Sequence, residues 1–248
     1  MSGSGARIDY QAEWLVAEAA GRSHVTRLLD GIRQGRKISG MDVVELGSGI
    51  GNNLRGFLPG NRVLGVEGLG EAVEESRRRG IDALQHDLGL PLPLPDASAD
   101  CVLCIDVLEH LVRPEFCLSE AHRLLRDGGL LVVNVPNHFD VRGRLRILRG
   151  SGIDSQGYFP ESSHWEYPHL RFFQHRSIGQ LLSECGFQVE SDESSQVSSL
   201  PGSALLGQLG LGPLLRTLGR SFPDLFCPGF FLVSRKAPGA SPTEPRSP

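Results

Sequence analysis

The chain has 248 residues, 22% of them charged, and a formal net charge of −4. This length suits one domain with appendages and can bury a substantial core. The excess of acids disfavours nucleic acid and anionic membrane surfaces as partners. The sequence also lacks a run of about 18 apolar residues, so no stable membrane insertion is predicted. Five scattered cysteines and a polar N-terminal stretch without a signal-peptide pattern favour a reduced, cytoplasmic protein.

The first part of the chain predicts helices followed by alternating strands and helices. Residues 1–36 are expected to hold about eight disordered residues and two helices, Tyr10–Ala20 and His24–Gln34, from their apolar spacing. Strands are then predicted at 41–46, 62–67 and 81–85, with one helix starting near Asn52 and another at Glu71–Arg79. Such repetition of βα units predicts a parallel sheet.

The second part continues this alternation and then departs from it. The predicted elements are a strand at 101–105, a helix at Pro114–Arg126, a strand at Leu130–Val135, a helix at Ser177–Cys185, and strands at Phe187–Glu190 and 230–233. Two stretches read as insertions into a domain of residues 37–236: an aromatic- and histidine-rich one at about 137–174, and a Leu/Gly-rich one at 195–227 with a poor helical pattern. Residues 237–248 are expected to form a disordered tail.

Four carboxylates recur at nearly constant intervals where the first four predicted strands end. They are Glu45, Glu67, Asp87 and Asp106. If the strands are parallel, all four acids reach the same edge of the sheet, which is where open α/β sheets bind ligands. The glycine loop Gly47-Ser48-Gly49-Ile50-Gly51 follows the first strand. Acids beside a glycine loop indicate a ligand that donates hydrogen bonds and argue against a phosphate.

The position of each acid suggests a separate role toward an adenosine ligand. Glu67 is placed to accept both ribose hydroxyl protons, and Asp87, with Leu88 as an apolar neighbour, suits an adenine amine. Glu45 would repel a pyrophosphate but favours a cationic sulfonium amino acid, and Asp106 lies beside the expected reactive centre. The loop spacing also departs from the dinucleotide fingerprint, which disfavours a nucleotide-dependent oxidoreductase.

Three runs of the sequence carry a family resemblance: Val43–Gly51, Asp106-Val107-Leu108-Glu109-His110-Leu111 and Leu124–Leu131. They resemble motifs of class I S-adenosylmethionine-dependent methyltransferases of the small-molecule (type 11/type 23) branch. The resemblance implies a Rossmann-like α/β fold with a seven-stranded, mostly parallel sheet, helices on both faces and the last strand antiparallel between strands five and six. It also implies S-adenosyl-L-methionine as cofactor. The cofactor-binding residues that the motifs imply are Glu45, Gly47, Ser48, Gly49, Glu67, Gly68, Asp87, Leu88, Asp106, Val107 and His110.

The expected function is methyl transfer to a hydroxyl, amine or carbon of a small molecule. A non-catalytic, cofactor-binding partner of a biosynthetic enzyme is the alternative, and a homodimer stays open. His138, His164 and His169 are the candidate general bases, although each single histidine also fits a structural role. No metal site is predicted, because the pair Cys101-x-x-Cys104 lies in an apolar strand and is interpreted as structural.

Overall fold

The computed structural model describes residues 23–150, 169–200, 202–237 and 239. The predicted helix Tyr10–Ala20 and the candidate base His164 lie outside these residues. The chain forms two compact units, whose described parts are residues 23–90 and, in the second unit, residues from 91 onward. No helix in the described ranges is both long and apolar enough to cross a membrane.

The first unit holds one amphipathic helix, three parallel strands and a second helix. Its elements are α1 (Ser23–Gly35), β1 (Asp42–Leu46), β2 (Arg62–Glu67), α2 (Gly70–Arg78) and β3 (Asp82–Gln85). Helix α1 buries Val25, Leu29 and Ile32, which recur at the helical period. Strand β2 pairs in parallel with both β1 and β3. The predicted strands and the helix at His24–Gln34 are therefore found.

The helix predicted to start near Asn52 is wrong, because the structure has only a 3-10 turn at Leu54–Gly56. Asn53 donates its side-chain amide to the buried carboxylate of Glu45 over 2.7 Å. This bond occupies the start of the predicted helix, and the glycine and asparagine residues of this segment are poor helix formers. The chain instead makes a short turn that packs Leu54 and Phe57 into the core.

The second unit continues the sheet with one parallel and two antiparallel pairings. Its elements are β4 (Ala99–Ile105), α3 (Pro114–Leu124), β5 (Leu125–Pro136), α4 (Val141–Leu148), α5 (His175–Glu184), β6 (Phe187–Asp192), α6 (Ser203–Leu206), α7 (Gly212–Ser221), α8 (Pro223–Phe226) and β7 (Gly229–Lys236). Strand β5 runs parallel to β4, while β7 is antiparallel to both β5 and β6. The seven strands follow the order β3-β2-β1-β4-β5-β7-β6, which confirms the predicted fold class.

The cysteine pair on β4 is buried, as the sequence predicted. Cys101 and Cys104 are fully buried, and neither forms a disulfide. Burial raises the pKa of the Cys101 thiol to about 12. A thiol with such a pKa stays protonated at neutral pH and is a poor nucleophile and metal ligand.

The stretch 195–227 is largely helical, which the sequence did not predict. Beyond the 3-10 turn at Ser194–Gln196, helices α6 and α7 are joined by a π-helical segment at Gly207–Leu211. Gly210 has a φ of 80°, so the helical path bends there. Glycines at 207, 210 and 212 interrupt the apolar period, which explains the weak sequence signal. Pro213 starts α7, where a missing backbone N–H costs little.

An ion pair joins the start of α5 to the end of β6. The Nε2 atom of His175 lies 2.7 Å from Oδ2 of Asp192, and the backbone N–H of His175 donates to Asp224. The hydrogen bond with Asp192 raises the pKa of His175. Burial works to raise the pKa of Asp192, but hydrogen bonds from His175 and Ser194 outweigh it and lower that pKa. Asp192 and Asp224 are the charged groups that act on His175.

We expect Gly65→Ala to weaken the glycine loop. A Cβ atom on Gly65 would lie 2.8 Å from the Cβ of Ser48 and closer still to its hydroxyl, so the buried Ser48 must move. Overpacking of this kind costs about 1–3 kcal/mol. Urea unfolding measures the loss of unfolding free energy. The control Gly31→Ala meets nothing within 4 Å in helix α1 and should not lower stability. Equal behaviour of the two variants would contradict the packing argument.

We expect Asp192→Asn to destabilise the protein most at mildly acidic pH. The raised pKa of His175 gives stability that is complete below its unfolded pKa and is lost as pH rises through the folded value. The lowered pKa of Asp192 gives stability that is lost as pH falls through its folded value. The deficit in unfolding free energy should therefore be largest between about pH 4 and 6.5 and shrink above it.

Because both side chains are about one-third exposed, the deficit should stay below about 1 kcal/mol. Urea unfolding of both proteins at acidic and alkaline pH measures it. The exposed Asp127→Asn is the matched control, since its carboxylate contacts only the distal amine of Lys236 at 3.7 Å among the described ion pairs. A deficit that is constant across pH would show that the ion pair does not cause it.

Candidate cofactor and acceptor site

The glycine loop after β1 adopts a conformation that only glycine accommodates without strain. Gly47, Gly49 and Gly51 have φ values of 76°, 54° and 79°. A Cβ atom on Gly51 would lie 2.5 Å from Cδ1 of Ile81 and 2.8 Å from Oγ of Ser76. The third glycine therefore serves close packing within this unit. The backbone N–H of Gly47 donates to Val66 O at 2.8 Å, which ties the loop to β2.

The carboxylate of Glu67 connects the glycine loop to the turn that follows β2. Its Oε2 accepts from the N–H of Gly49 at 3.0 Å, and its Oε1 accepts from the N–H of Leu69 at 2.9 Å. These bonds fix the carboxylate beside the loop without using all of its acceptor capacity, because an ionised carboxylate offers about four acceptor positions. The sequence predicted Glu67 for a ribose; its bonds to the loop were not foreseen.

Glu45 and Ser48 are buried, and their described contacts hold the loop. Glu45 is 0% exposed and accepts the amide of Asn53. Ser48 is also buried, and its side chain packs against Gly65 of β2. Any contact that Ser48 makes with a cofactor would therefore come from its backbone.

Asp87, Leu88 and Gly68 lie at the carboxyl end of β2 and β3. Asp87 is exposed and its Oδ1 accepts from the N–H of Gly89 at 2.8 Å, forming a local turn beside the buried Leu88. Among the described residues, a Cβ atom on Gly68 would meet only the carbonyl of His86 within 4 Å, at 3.8 Å. Glu67, Gly68 and the β3 end are joined by the bond from the His86 N–H to Glu67 O. The first unit thus brings together the residues predicted for ribose and adenine.

Asp106 follows β4 in a conformation that is unusual for a residue with a side chain. Its φ is 51°, and its carboxylate accepts from Nδ2 of Asn134 at 2.6 Å. The backbone N–H of Asp106 also donates to Asn134 O. Strain of this kind concentrates at functional sites, and here two bonds to β5 hold it. Val107, the next predicted cofactor residue, is buried.

Three histidines of the second unit converge beyond β4 and β5. His138 Nε2 and His169 Nδ1 are 2.6 Å apart, and the rings of His110 and His169 meet edge to face with centroids 4.7 Å apart. Two of the predicted bases, His138 and His169, are therefore one hydrogen-bonded pair. The predicted cofactor residue His110 belongs to the same cluster.

The surroundings of His138 keep its ring neutral at ordinary pH. Burial, aided by the charge of Arg146 and by His110, lowers the pKa of His138 to about 4. Its position is fixed by the start of α4, where Asp140 caps the helix by accepting from the N–H of Gly143. A side chain on Gly143 would collide with the His138 carbonyl, so glycine lets the helix pass close to it.

Backbone hydrogen bonds bring His169 to His110. The carbonyl of Glu109 accepts from the N–H groups of Leu170 at 2.8 Å and Arg171 at 3.0 Å. The guanidinium of Arg171 donates to the carbonyl of Val112. Arg171 thus contributes two hydrogen bonds to this contact, one from its backbone and one from its side chain. Sequence reasoning also missed Asn53, Asn134 and the carbonyl of Glu109, since no residue pattern marks such long-range contacts.

Comparison with known proteins places the chain in a family. The sequence profile of a methyltransferase domain family matches residues 18–192. This protein belongs to that methyltransferase family. The family uses S-adenosylmethionine as its cofactor, which agrees with the predicted cofactor and motifs.

Individual relatives agree with this assignment. A Mycolicibacterium smegmatis protein named "Probable S-adenosylmethionine-dependent methyltransferase" is 32% identical over 64% of this chain and 56% of its own length. The trans-aconitate 2-methyltransferase of Mycolicibacterium gilvum is 28% identical over 73% of this chain and 71% of its own length. The matches span between 36% and 56% of the length of four curated relatives.

The fold also matches solved structures. A Thermotoga maritima structure described as "SAM-dependent methyltransferase, possible histamine N-methyltransferase" superposes with a TM-score of 0.61 over 92% of this chain and 99% of that one, at 21% identity. This similarity supports the fold alone.

The residues of the first unit fit the nucleoside part of this cofactor. Glu67 is held beside the glycine loop with acceptor capacity left for hydroxyl groups. At Gly68 no described side chain lies within 4 Å of where a Cβ would stand. The glycine loop, the Glu67 carboxylate and the open space at Gly68 belong to one unit. Their hydrogen-bonding chemistry agrees with an adenosine ligand.

We expect Glu67→Gln to weaken binding of S-adenosylhomocysteine by about 10- to 150-fold, because a hydrogen bond to a charged group contributes about 1.5–3 kcal/mol. The amide of glutamine would also place a donor against the N–H of Gly49 or Leu69. Isothermal titration calorimetry measures the affinity. The control Glu71→Gln removes an exposed carboxylate from the first turn of α2 and should leave affinity unchanged. Undiminished binding by Glu67→Gln would refute the ribose assignment.

Proposed function

We propose that the protein transfers a methyl group from S-adenosylmethionine to a small-molecule acceptor through a hydroxyl, amine or carbon. The observation that carries the proposal is the Glu67 carboxylate bonded to the glycine loop at Gly49. Support for a small acceptor comes from the relative that is named as acting on trans-aconitate.

In the proposed reaction, the first unit binds the cofactor and orients it. Bound S-adenosylmethionine supplies a methyl group that is already activated on a sulfonium sulfur. Glu67 and Asp87 would hold the ribose and adenine, with the backbone of Gly47, Ser48, Gly49 and Gly68 alongside. Positioning is the main contribution that such a reaction needs, and good alignment is worth about 7–11 kcal/mol.

In the proposed reaction, the second unit acts on the methyl acceptor. Asp106 and Val107 stay predicted for the reacting end of the cofactor, and Glu45 of the first unit stays predicted for its ammonium group. The pair His138–His169, in which one imidazole donates a hydrogen bond to the other over 2.6 Å, is the proposed place where an acceptor hydroxyl loses its proton. A base is needed less for an amine or thiol acceptor. His164 stays a predicted candidate that lies outside the described residues.

Other expectations from the sequence stay predictions. They are the cytoplasmic location, a homodimer, and the division into N-terminal helices, methyltransferase domain and tail.

We expect the purified protein to move a labelled methyl group from S-adenosylmethionine into low-molecular-mass compounds of a metabolite extract. Mass spectrometry of the labelled products measures the transfer. Glu67→Gln should reduce the label at low cofactor concentration, while Glu71→Gln should not. Tight binding of S-adenosylhomocysteine without any labelled product would favour the non-catalytic alternative. Label that appears only in macromolecules would contradict a small acceptor.

A further inference from the structure

The histidine cluster of the second unit includes a buried carboxylate. Glu109 is 1% exposed, and its Oε1 lies 3.9 Å from Nε2 of His110. One ligand-type atom from each of Glu109, His110 and His169 falls within a set whose members are all within 4.8 Å of one another. We propose that these three residues form a binding site for a divalent transition-metal ion.

The donor types select the class of ion. Two imidazoles and one carboxylate are a ligand set found for catalytic zinc and for non-haem iron. Magnesium and calcium prefer oxygen ligands, so two imidazoles disfavour them. Three protein ligands also leave at least one position of a four-coordinate ion for a small oxygen ligand.

The distances require only a local contraction. Bonds of about 2.0–2.1 Å in a tetrahedral site set the donor atoms roughly 3.3 Å apart. The measured 3.9 Å between Glu109 and His110, and the upper limit of 4.8 Å for the set, therefore ask the donors to approach by at most about 1.5 Å. His110 is one-third exposed at its side chain and His169 is half-buried, so side-chain rotation can supply this movement.

The backbone holds the ligands together independently of any ion. The carbonyl of Glu109 accepts two hydrogen bonds from Leu170 and Arg171, which come directly after His169. Glu109 and His110 lie on one 3-10 turn, Leu108–His110. Two segments about 60 residues apart in sequence are thus fixed to each other at the ligand positions.

His138 completes the arrangement as a positioning residue. Metal-binding histidines usually bond their second ring nitrogen to another group, which sets the tautomer and the ring orientation. His138 Nε2 contacts Nδ1 of His169 at 2.6 Å, so Nε2 of His169 would be the coordinating atom. In this arrangement His169 would serve as a ligand, and a bound ion would lower the pKa of an acceptor hydroxyl so that its proton passes to water, in place of the histidine pair as base. The last step rests on the proposed methyl transfer; the metal site itself does not.

The test measures metal binding directly in untagged protein that has been stripped with a chelator. Titration with Zn²⁺ by calorimetry, and with Co²⁺ by visible absorption, should show one ion per chain, and excess Mg²⁺ should not compete. His110→Asn and His169→Gln should each lower Zn²⁺ affinity by at least about tenfold, and His138→Gln by about tenfold or more through loss of orientation. Circular dichroism and urea unfolding establish that each variant is folded.

The matched control is His175→Gln, which removes an imidazole that pairs with the carboxylate of Asp192 elsewhere in the same unit. It should keep wild-type Zn²⁺ affinity. Absence of stoichiometric binding to the wild type, or unchanged affinity in a folded His110→Asn/His169→Gln variant, would overturn the proposal. Methyl transfer by the stripped protein that Zn²⁺ or Co²⁺ does not change would overturn the role of the ion in the reaction. Metal binding without any methyl transfer would keep the site and count against the proposed function.

Discussion

The hydrogen bond from the Gly49 N–H to the Glu67 carboxylate is the constraint on which the cofactor half of the site depends. It joins two turns that follow different strands, and the same carboxylate accepts from Leu69 at the start of α2. A carboxylate held by two backbone donors stays in place, so it presents acceptors to a ligand without a reorganisation cost. The positive φ of Gly49 accompanies this bond, because glycine adopts that conformation without strain while its N–H points to the carboxylate.

The sheet and the glycine loop could be predicted because their signals are local in sequence. A few neighbouring residues are enough to recognise a strand run such as Val63–Val66, the glycine loop or a strand-end acid. The antiparallel β7 followed from a family resemblance and not from periodicity. Prediction failed where one side chain replaced a regular element: Asn53 bonds to Glu45, and the expected helix shrinks to a 3-10 turn. It failed again where glycines such as Gly210 hide a helical stretch.

The histidine cluster of the second unit was predicted as separate residues and is found as a connected group. Sequence reasoning named His138 and His169 as independent bases, and their 2.6 Å contact joins residues that are 31 positions apart. It placed His110 with the cofactor and gave Glu109 no role. The hydrogen bonds that the Glu109 carbonyl accepts from Leu170 and Arg171 bring these groups together. Every residue has a backbone carbonyl, so the sequence does not mark this contact. Only the folded chain reveals them.

Glu67 acts through its side chain and the histidine cluster is held by main-chain bonds, so the two sets of residues differ in how freely they can be substituted. Glu67 acts through a carboxylate, so its identity is tied to the ligand that it accepts from. The acceptor cluster is positioned by main-chain bonds at 109, 170 and 171, and these survive substitution of the side chains they position. A chain built in this way can keep one methyl donor while the groups presented to the acceptor change. Glu109 is the exception within the cluster, since its buried carboxylate acts through its side chain and lies 3.9 Å from Nε2 of His110.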